Sequence, residues 1–242
     1  NRFTNGQKVR EFEKKWSKWL GVKYSTFVNS GASANLISLH ILKEIEPKKK
    51  EIILPPFTWN SDVVSVINAG FKPVFVDINL ENLALNEKIV SKKINKNTAA
   101  IFLTHAMGFI GLTKNFLNLV KKRKIFLIED VCESHGAKLG NKKAGTFGQI
   151  SNFSFYYAHH MTTIEGGMIS TNSKKIDILA KMKRGHGLLR DSQDKSFIKK
   201  IKMKNKDLNS DFIFCTEGFN LRNDELSAVI GLEQIKRLDQ NI

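Results

Sequence analysis

The chain predicts an α/β protein in which helices pack on a largely parallel sheet. Two observations carry this: strand-like and helical segments alternate along 242 residues, and the composition, 41% hydrophobic with 26% charged, can build a substantial buried core. Val9, Phe12, Trp16 and Leu20 recur at helical spacing, so an amphipathic helix comes first. Tyr24 to Val28 is a short β-prone run ending in Asn29-Ser30-Gly31-Ala32-Ser33-Ala34, and a helix is expected from Ser33 to Ile45. Further strands are expected at 51–54, 72–77, 98–104, 125–130, 150–155 and 167–171, with helices near 60–69, 113–123 and 173–184. Residues 188–215 are polar and lysine-rich and read as a mobile excursion. Helical periodicity returns from Asn223 to Leu238 through Leu226, Val229, Ile230 and Ile235, and no internal repeat is apparent.

The net charge of +16 could attract nucleic acid, an anionic membrane or phosphorylated small molecules. Its lysines are spread through the chain without interleaved aromatics, which argues against a nucleic-acid platform. No apolar run reaches the length of a membrane span, and Asn1-Arg2-Phe3-Thr4 shows neither an initiator methionine nor a signal-peptide pattern. A cytoplasmic chain, and a fragment of a longer one, is expected. Cys132 and Cys215 are too few for a disulfide framework or a four-thiolate cluster and read as reduced thiols.

Three loops invite a ligand. The Ser30-Gly31-Ala32-Ser33 turn before a helix offers close backbone approach, hydroxyl donors and unpaired amides suited to phosphate, although such a turn is also a common helix cap. The apolar strand from Ile125 ends in Glu129-Asp130, at the edge where open α/β sheets meet their ligands; a cap or turn carboxylate is the plainer alternative. Trp59 follows the second strand-like run in Pro55-Pro56-Phe57-Thr58-Trp59, where an aromatic either stacks on a ligand or packs in the core.

The segment from Ser154 to Gly167, Ser-Phe-Tyr-Tyr-Ala-His-His-Met-Thr-Thr-Ile-Glu-Gly-Gly, resembles the active-site signature of the DegT/DnrJ/StrS sugar-nucleotide aminotransferases. That family carries lysine, the Schiff-base anchor of pyridoxal phosphate (PLP), where this chain has His159. The turn from Asn29 resembles the family's phosphate-contacting segment, Glu129 to Ala137 its "EDAAQAHGA", Pro55 to Asn60 its "PAFTFVA" loop, and Gly218 to Leu226 its "GYNYRMTEL". These motifs follow the family's order across essentially the whole chain, which makes the resemblance specific.

The resemblance implies the large domain of a fold-type-I PLP enzyme, with a mostly parallel central sheet flanked by helices. It implies that residues 1–220 form the cofactor-binding domain and that 221–242 begin the connection to a smaller C-terminal domain lying mostly beyond. Carried over residue by residue, it assigns phosphate contact to Ser30, Gly31, Ala32, Ser33 and Ser154, ring stacking to Trp59 and the pyridine nitrogen to Asp130. It places Glu133, usually glutamine in the family, near the phenolic oxygen. Asn220 is assigned to the phosphate of a neighbouring subunit, which implies a homodimer with shared sites. His135 is expected to support its loop.

Histidine cannot replace lysine as a covalent anchor, but imidazole can move protons. That ability suits noncovalently held pyridoxamine phosphate (PMP), with His159 removing a proton from the cofactor's 4′ carbon. The surrounding sequence is similar to a branch of PMP-dependent 3-dehydratases acting on nucleotide-linked 4-keto-6-deoxyhexoses of the GDP-4-keto-6-deoxymannose type, with an amino donor such as L-glutamate regenerating PMP. The alternatives are a conventional sugar aminotransferase and a catalytically inactive member. No metal is expected at His159-His160, because adjacent side chains diverge on a strand and no matching cysteine or carboxylate set accompanies them.

Overall fold

The computed structural model describes residues 3–242, so Asn1 and Arg2 of the expected first domain lie outside the described residues. Helix α1 (Gln7–Leu20) buries Val9, Phe12, Trp16 and Leu20, the stripe its periodicity predicts, and stops at Gly21, whose φ of +89° closes the helix in the left-handed region. Strand β1 (Tyr24–Val28) leads into α2 (Gly31–Ile45), which starts two residues before the expected Ser33 because Ser30, not a later residue, is the cap. There follow β2 (Glu51–Leu54), α3 (Asn60–Asn68) and β3 (Lys72–Phe75). A hairpin of β4 (Ile78–Asn79) and β5 (Ala84–Leu85) and helix α4 (Glu87–Lys93) then intervene, none of which the periodicity predicts in elements so short. Strand β6 (Thr98–Thr104), α5 (Lys114–Arg123) and β7 (Phe126–Asp130) complete a run of buried parallel strands.

A second small hairpin, β8 (Lys138–Leu139) with β9 (Lys142–Lys143), precedes β10 (Ile150–Ser154), β11 (Gly167–Thr171) and α6 (Lys174–Arg184). The main sheet has seven strands in the order β1-β11-β10-β7-β6-β2-β3. Strand β11 is antiparallel to both neighbours, and the remaining pairings are parallel, so the expected, mostly parallel sheet is observed. Strands β1, β2, β6, β7 and β10 therefore all deliver their following loops to the same edge, as parallel strands must.

The segment expected to be a mobile excursion is instead folded. It contains a short 3-10 turn at Leu189–Ser192, helix α7 (Lys195–Lys204) and a second turn at Ser210–Phe212. Asp194 caps α7 by accepting from the Phe197 N–H at 2.7 Å, and the helix buries no residue fully, so its polar composition concealed the helical fold rather than excluding it. The final periodic stretch is α8 (Glu225–Gln234) and α9 (Leu238–Asn241), broken at Ile235 to Arg237.

Apolar side chains fill both faces of the sheet. One core joins α2, α3 and α6 to the strands through Ile37, Ile41, Leu42, Val66 and Leu179, and another joins α1 and α8 through Phe12, Trp16, Phe155 and Leu232. Burial at about 25 cal/mol per Å² makes these faces the main source of stability. A buried ion pair ties them together: Arg184 Nη1 donates to Glu13 Oε1 at 2.6 Å, and the same carboxylate oxygen accepts from the Phe27 N–H at 2.9 Å.

Candidate active site

The loops after the parallel strands enclose a cavity of about 600 Å³. It is lined by eight residues that the sequence singled out: Ser30, Gly31, Ala32, Trp59, Asp130, Glu133, Ser154 and His159. They come from the ends of β1, β2, β7 and β10 and the loops that follow, which is why no single motif could define the site.

The floor at one end is the start of α2. Ser30 is extended (φ −166°), and its hydroxyl accepts from the Ser33 N–H at 3.0 Å while bonding Ser33 Oγ at 2.9 Å. The Gly31 and Ala32 N–H groups at the first turn have no preceding helical carbonyl to meet, so they and the helix dipole are available to an anion. A Cβ on Gly31 would lie 2.7 Å from Ser154 Cβ and 2.9 Å from Cys132 Sγ, so glycine lets the turn approach the ends of β10 and β7. Ser33 is thus a supporter of the turn rather than a lining residue.

Asp130 ends β7 with both carboxylate oxygens fixed. Its Oδ1 accepts from the Cys132 N–H at 2.9 Å and its Oδ2 from Asn35 Nδ2 at 2.8 Å. Trp59 stands across the cavity mouth, 71% exposed, instead of packing in the core. Glu133 Oε2 accepts from the Met107 N–H at 3.0 Å, which pins the loop after β6 against the loop after β7. Ser154 is the last residue of β10, and its hydroxyl accepts from the Tyr156 N–H at 3.3 Å.

His159 lies in a turn in which its N–H donates to the Tyr156 carbonyl at 3.1 Å. Burial lowers its basicity below the ordinary imidazole value of 6.5, with the neighbouring Asp130 and Glu133 carboxylates acting in the opposite sense. The neutral ring is therefore the ready form near pH 7, as a proton acceptor requires. Because this segment is a turn and not a strand, the rings of His159 and His160 do not diverge: both line the cavity. Among the described residues, no group of three His, Cys, Asp or Glu side chains is placed to hold a metal ion.

His135 sits behind them, fully buried, with its ring centroid 5.7 Å from Trp16 and 5.3 Å from His160. Burial, followed by the two other histidines, holds it well below the usual imidazole range, which suits the expected supporting role. Asn220 does not line this cavity; it is exposed and bridges to Gly185. Of the remaining lining residues, Cys132, Tyr156, Ala158, His160 and Glu165 lie inside the quoted motifs without an assigned cofactor role, and Ser61 and Thr104 gave no signal of their own. Thr104 was legible only as the end of a strand that ends at the same edge as Asp130.

An amide-rich turn, two hydroxyls, an anchored carboxylate, an open indole face and a neutral imidazole together fit a ligand with a phosphate at one end and a cationic aromatic ring at the other. The pattern that defines the DegT/DnrJ/EryC1/StrS aminotransferase family matches residues 1–242. The chain belongs to this family. It is similar to GDP-4-keto-6-deoxy-D-mannose 3-dehydratase of Escherichia coli O55:H7, 34% identical over 99% of this chain and 63% of that protein. It is also 30% identical to the GDP-perosamine synthase of Vibrio cholerae, over 99% of this chain and 60% of that one. Among solved structures, E. coli GDP-4-keto-6-deoxy-D-mannose-3-dehydratase with bound hydrated PLP superposes with a TM-score of 0.89 at 32% identity, covering 98% of this chain and 62% of the other. The chain thus spans about three-fifths of the length of the relatives it matches.

Proposed function

We propose that this chain forms the cofactor-binding body of a PMP-dependent 3-dehydratase acting on a nucleotide-linked 4-keto-6-deoxyhexose of the GDP-4-keto-6-deoxymannose type. The observation that carries the reading is His159, an imidazole at the lysine position whose basicity burial lowers, in one cavity with Ser30, Gly31, Ala32, Trp59, Asp130, Glu133 and Ser154. A decayed site has no reason to keep an anchored Asp130, an open phosphate turn and Trp59 together.

PLP or PMP, when bound, supplies an electron-accepting ring and, in the amine form, the nitrogen that condenses with a ketone. The residues of this chain do the rest. Gly31 and Ala32 N–H groups with the Ser30 and Ser154 hydroxyls would hold the phosphate, Trp59 would cover one ring face, and Asp130 would keep the pyridine nitrogen protonated. Glu133, also in the lining, would meet the phenolic oxygen. His159 would accept a proton at the 4′ carbon and, once protonated, could give it to the departing 3-hydroxyl, which leaves as water; as an imidazole it would leave the cofactor without a covalent tether. Support for the substrate class comes from the dehydratase relative at 34% identity.

In this reading L-glutamate restores the amine form, the protein is a homodimer in which Asn220 reaches a neighbouring subunit's phosphate, and the reaction proceeds in the cytoplasm. No helix among the described residues is long and apolar enough to cross a membrane. In the same reading residues 1–220 are the cofactor-binding domain and 221–242 begin a connection to a further domain; α8 and α9 nonetheless pack on that body, with Ala228, Leu232 and Leu238 buried in one core with Phe12 and Trp16. A second reading, sugar transamination, has support from the perosamine synthase relative.

Incubating the intact protein with PLP, L-glutamate and GDP-4-keto-6-deoxymannose, then weighing the sugar product by mass spectrometry, separates the two. Loss of the 3-hydroxyl is the expected result. Gain of an amine with the hydroxyl retained would overturn dehydration in favour of transamination.

A further inference from the structure

Beneath Asp130 lies a second carboxyl group, Asp62 of α3, which the cofactor reading does not use and which is 1% exposed. The two acids share one amide. Asn35 Nδ2 donates to Asp62 Oδ1 at 2.7 Å and to Asp130 Oδ2 at 2.8 Å. On its other side Asp62 Oδ2 meets two threonine hydroxyls, Thr58 at 2.5 Å and Thr104 at 2.9 Å, and these hydroxyls are themselves 2.6 Å apart. Three oxygen atoms therefore close a ring of three contacts at hydrogen-bonding distance. Three hydrogen bonds need three hydrogens, and the two threonines supply only two. A carboxyl proton on Asp62 would supply the third; with Asp62 ionised both hydroxyls donate to its Oδ2 and their own 2.6 Å contact carries no hydrogen.

Electrostatics favours the proton. Among the described residues, no Lys, Arg or His forms an ion pair with Asp62 or Asp130. The groups that face the pair are Cys132 beyond β7, itself pushed up by burial and by Asp130, and Glu133 and His159, which face Asp130 from the loops after β7 and β10. None is a fixed cation, and two adjacent buried carboxylates cannot both ionise cheaply. Burial first, and Asp130 second, raise the Asp62 carboxyl well above its ordinary range.

We propose that Asp62 is a protonated positioning residue: it holds Asn35, and through Asn35 it orients Asp130 as the single anion that meets a cationic ring nitrogen. The proposal rests on the cofactor reading for the identity of the ring, while the proton on Asp62 is a property of the protein alone. The cluster then carries one negative charge, matched to one pyridinium, where two ionised acids would carry an excess.

The test uses the intact protein and three forms: wild type, Asp62→Asn and Asp62→Leu. Asparagine reproduces the neutral acid, since its oxygen can accept from Asn35 and its amide can donate to a threonine; leucine can do neither. Urea unfolding without cofactor, from pH 5 to pH 8, reads the proton directly. A folded-state pKa raised above the unfolded one means that wild-type stability falls as pH rises above the ordinary carboxyl range, so wild type should lose ground to Asp62→Asn by up to about tenfold in the unfolding constant per pH unit. Parallel curves would overturn the assignment. With PMP as the probe, Asp62→Asn should bind within about threefold of wild type and Asp62→Leu more than about tenfold more weakly. Equal weakening by both would overturn the positioning role, and if wild type itself fails to bind PMP, the cofactor reading and with it that role fall while the unfolding curves still decide the proton.

Discussion

At the carboxyl edge of the sheet, Asn35, Asp62, Thr104, Asp130 and Ser154 are each buried and committed to specific hydrogen-bond partners, whereas in α7 no side chain is fully buried and Lys195, Lys199, Lys200, Lys202 and Lys204 stand in solvent. Both regions are polar, yet they differ in what a substitution can disturb. Buried polar groups lose a partner that water cannot replace, while exposed lysines exchange one solvated state for another. Even the one well-formed ion pair of the α7 region, Lys174 with Asp194 at 2.7 Å, which lowers the aspartate to about 2, lies at the surface. Polarity alone therefore does not mark function; polarity removed from water and aimed at a cavity does.

The contrast can be tested from its strong end. Gly31→Val drives a branched side chain into Ser154 and Cys132, and overpacking of this kind costs about 1–3 kcal/mol. Its expected effect is a loss of PLP affinity of about tenfold or more, measured by fluorescence titration of the cofactor, because the phosphate turn is forced away from β10. Unchanged affinity would show that the turn does not hold the phosphate.

A smaller effect concerns pH. The neutral form of His159 is lost as pH falls through its folded-state value, which burial places below 6.5. Turnover should thus stay level as pH is lowered through 6.5 and decline only below it, in a kcat/KM profile, which follows the ionisation of the free protein. A decline beginning above that value would assign the base to another group. At the weak end, replacing Lys199, Lys202 and Lys204 together by glutamine should change unfolding free energy by no more than about 0.5 kcal/mol and leave kcat unaltered, as urea unfolding and the product assay would show.

The two regions also differ in how well the sequence announced them. Strand and helix periodicity placed β1, β6, β7 and β10 almost residue for residue, and since parallel strands send their loops to one edge, Ser30, Asp130 and Ser154 were bound to meet there. His159 was legible because it breaks a motif otherwise kept. Asp62 was not, because an aspartate near a helix start ordinarily reads as a solvated first-turn acid, and its burial depends on Thr104 and Asn35, each remote in the chain. Helix α7 was hidden for the opposite reason: Phe197, Ile198 and Ile201 do recur at helical spacing, but they sit among lysines in a stretch read only for its polarity.

Everything proposed for the reaction turns on His159, and not its neighbour His160, moving the proton at the cofactor's 4′ carbon. Exchange of that carbon's hydrogen in deuterated water, followed by NMR with PMP and GDP-4-keto-6-deoxymannose present, measures the step itself. Wild type and His160→Asn are expected to exchange readily, and His159→Asn to be slower by about 10²–10⁴. Exchange preserved in His159→Asn, or abolished in His160→Asn alone, would contradict that role.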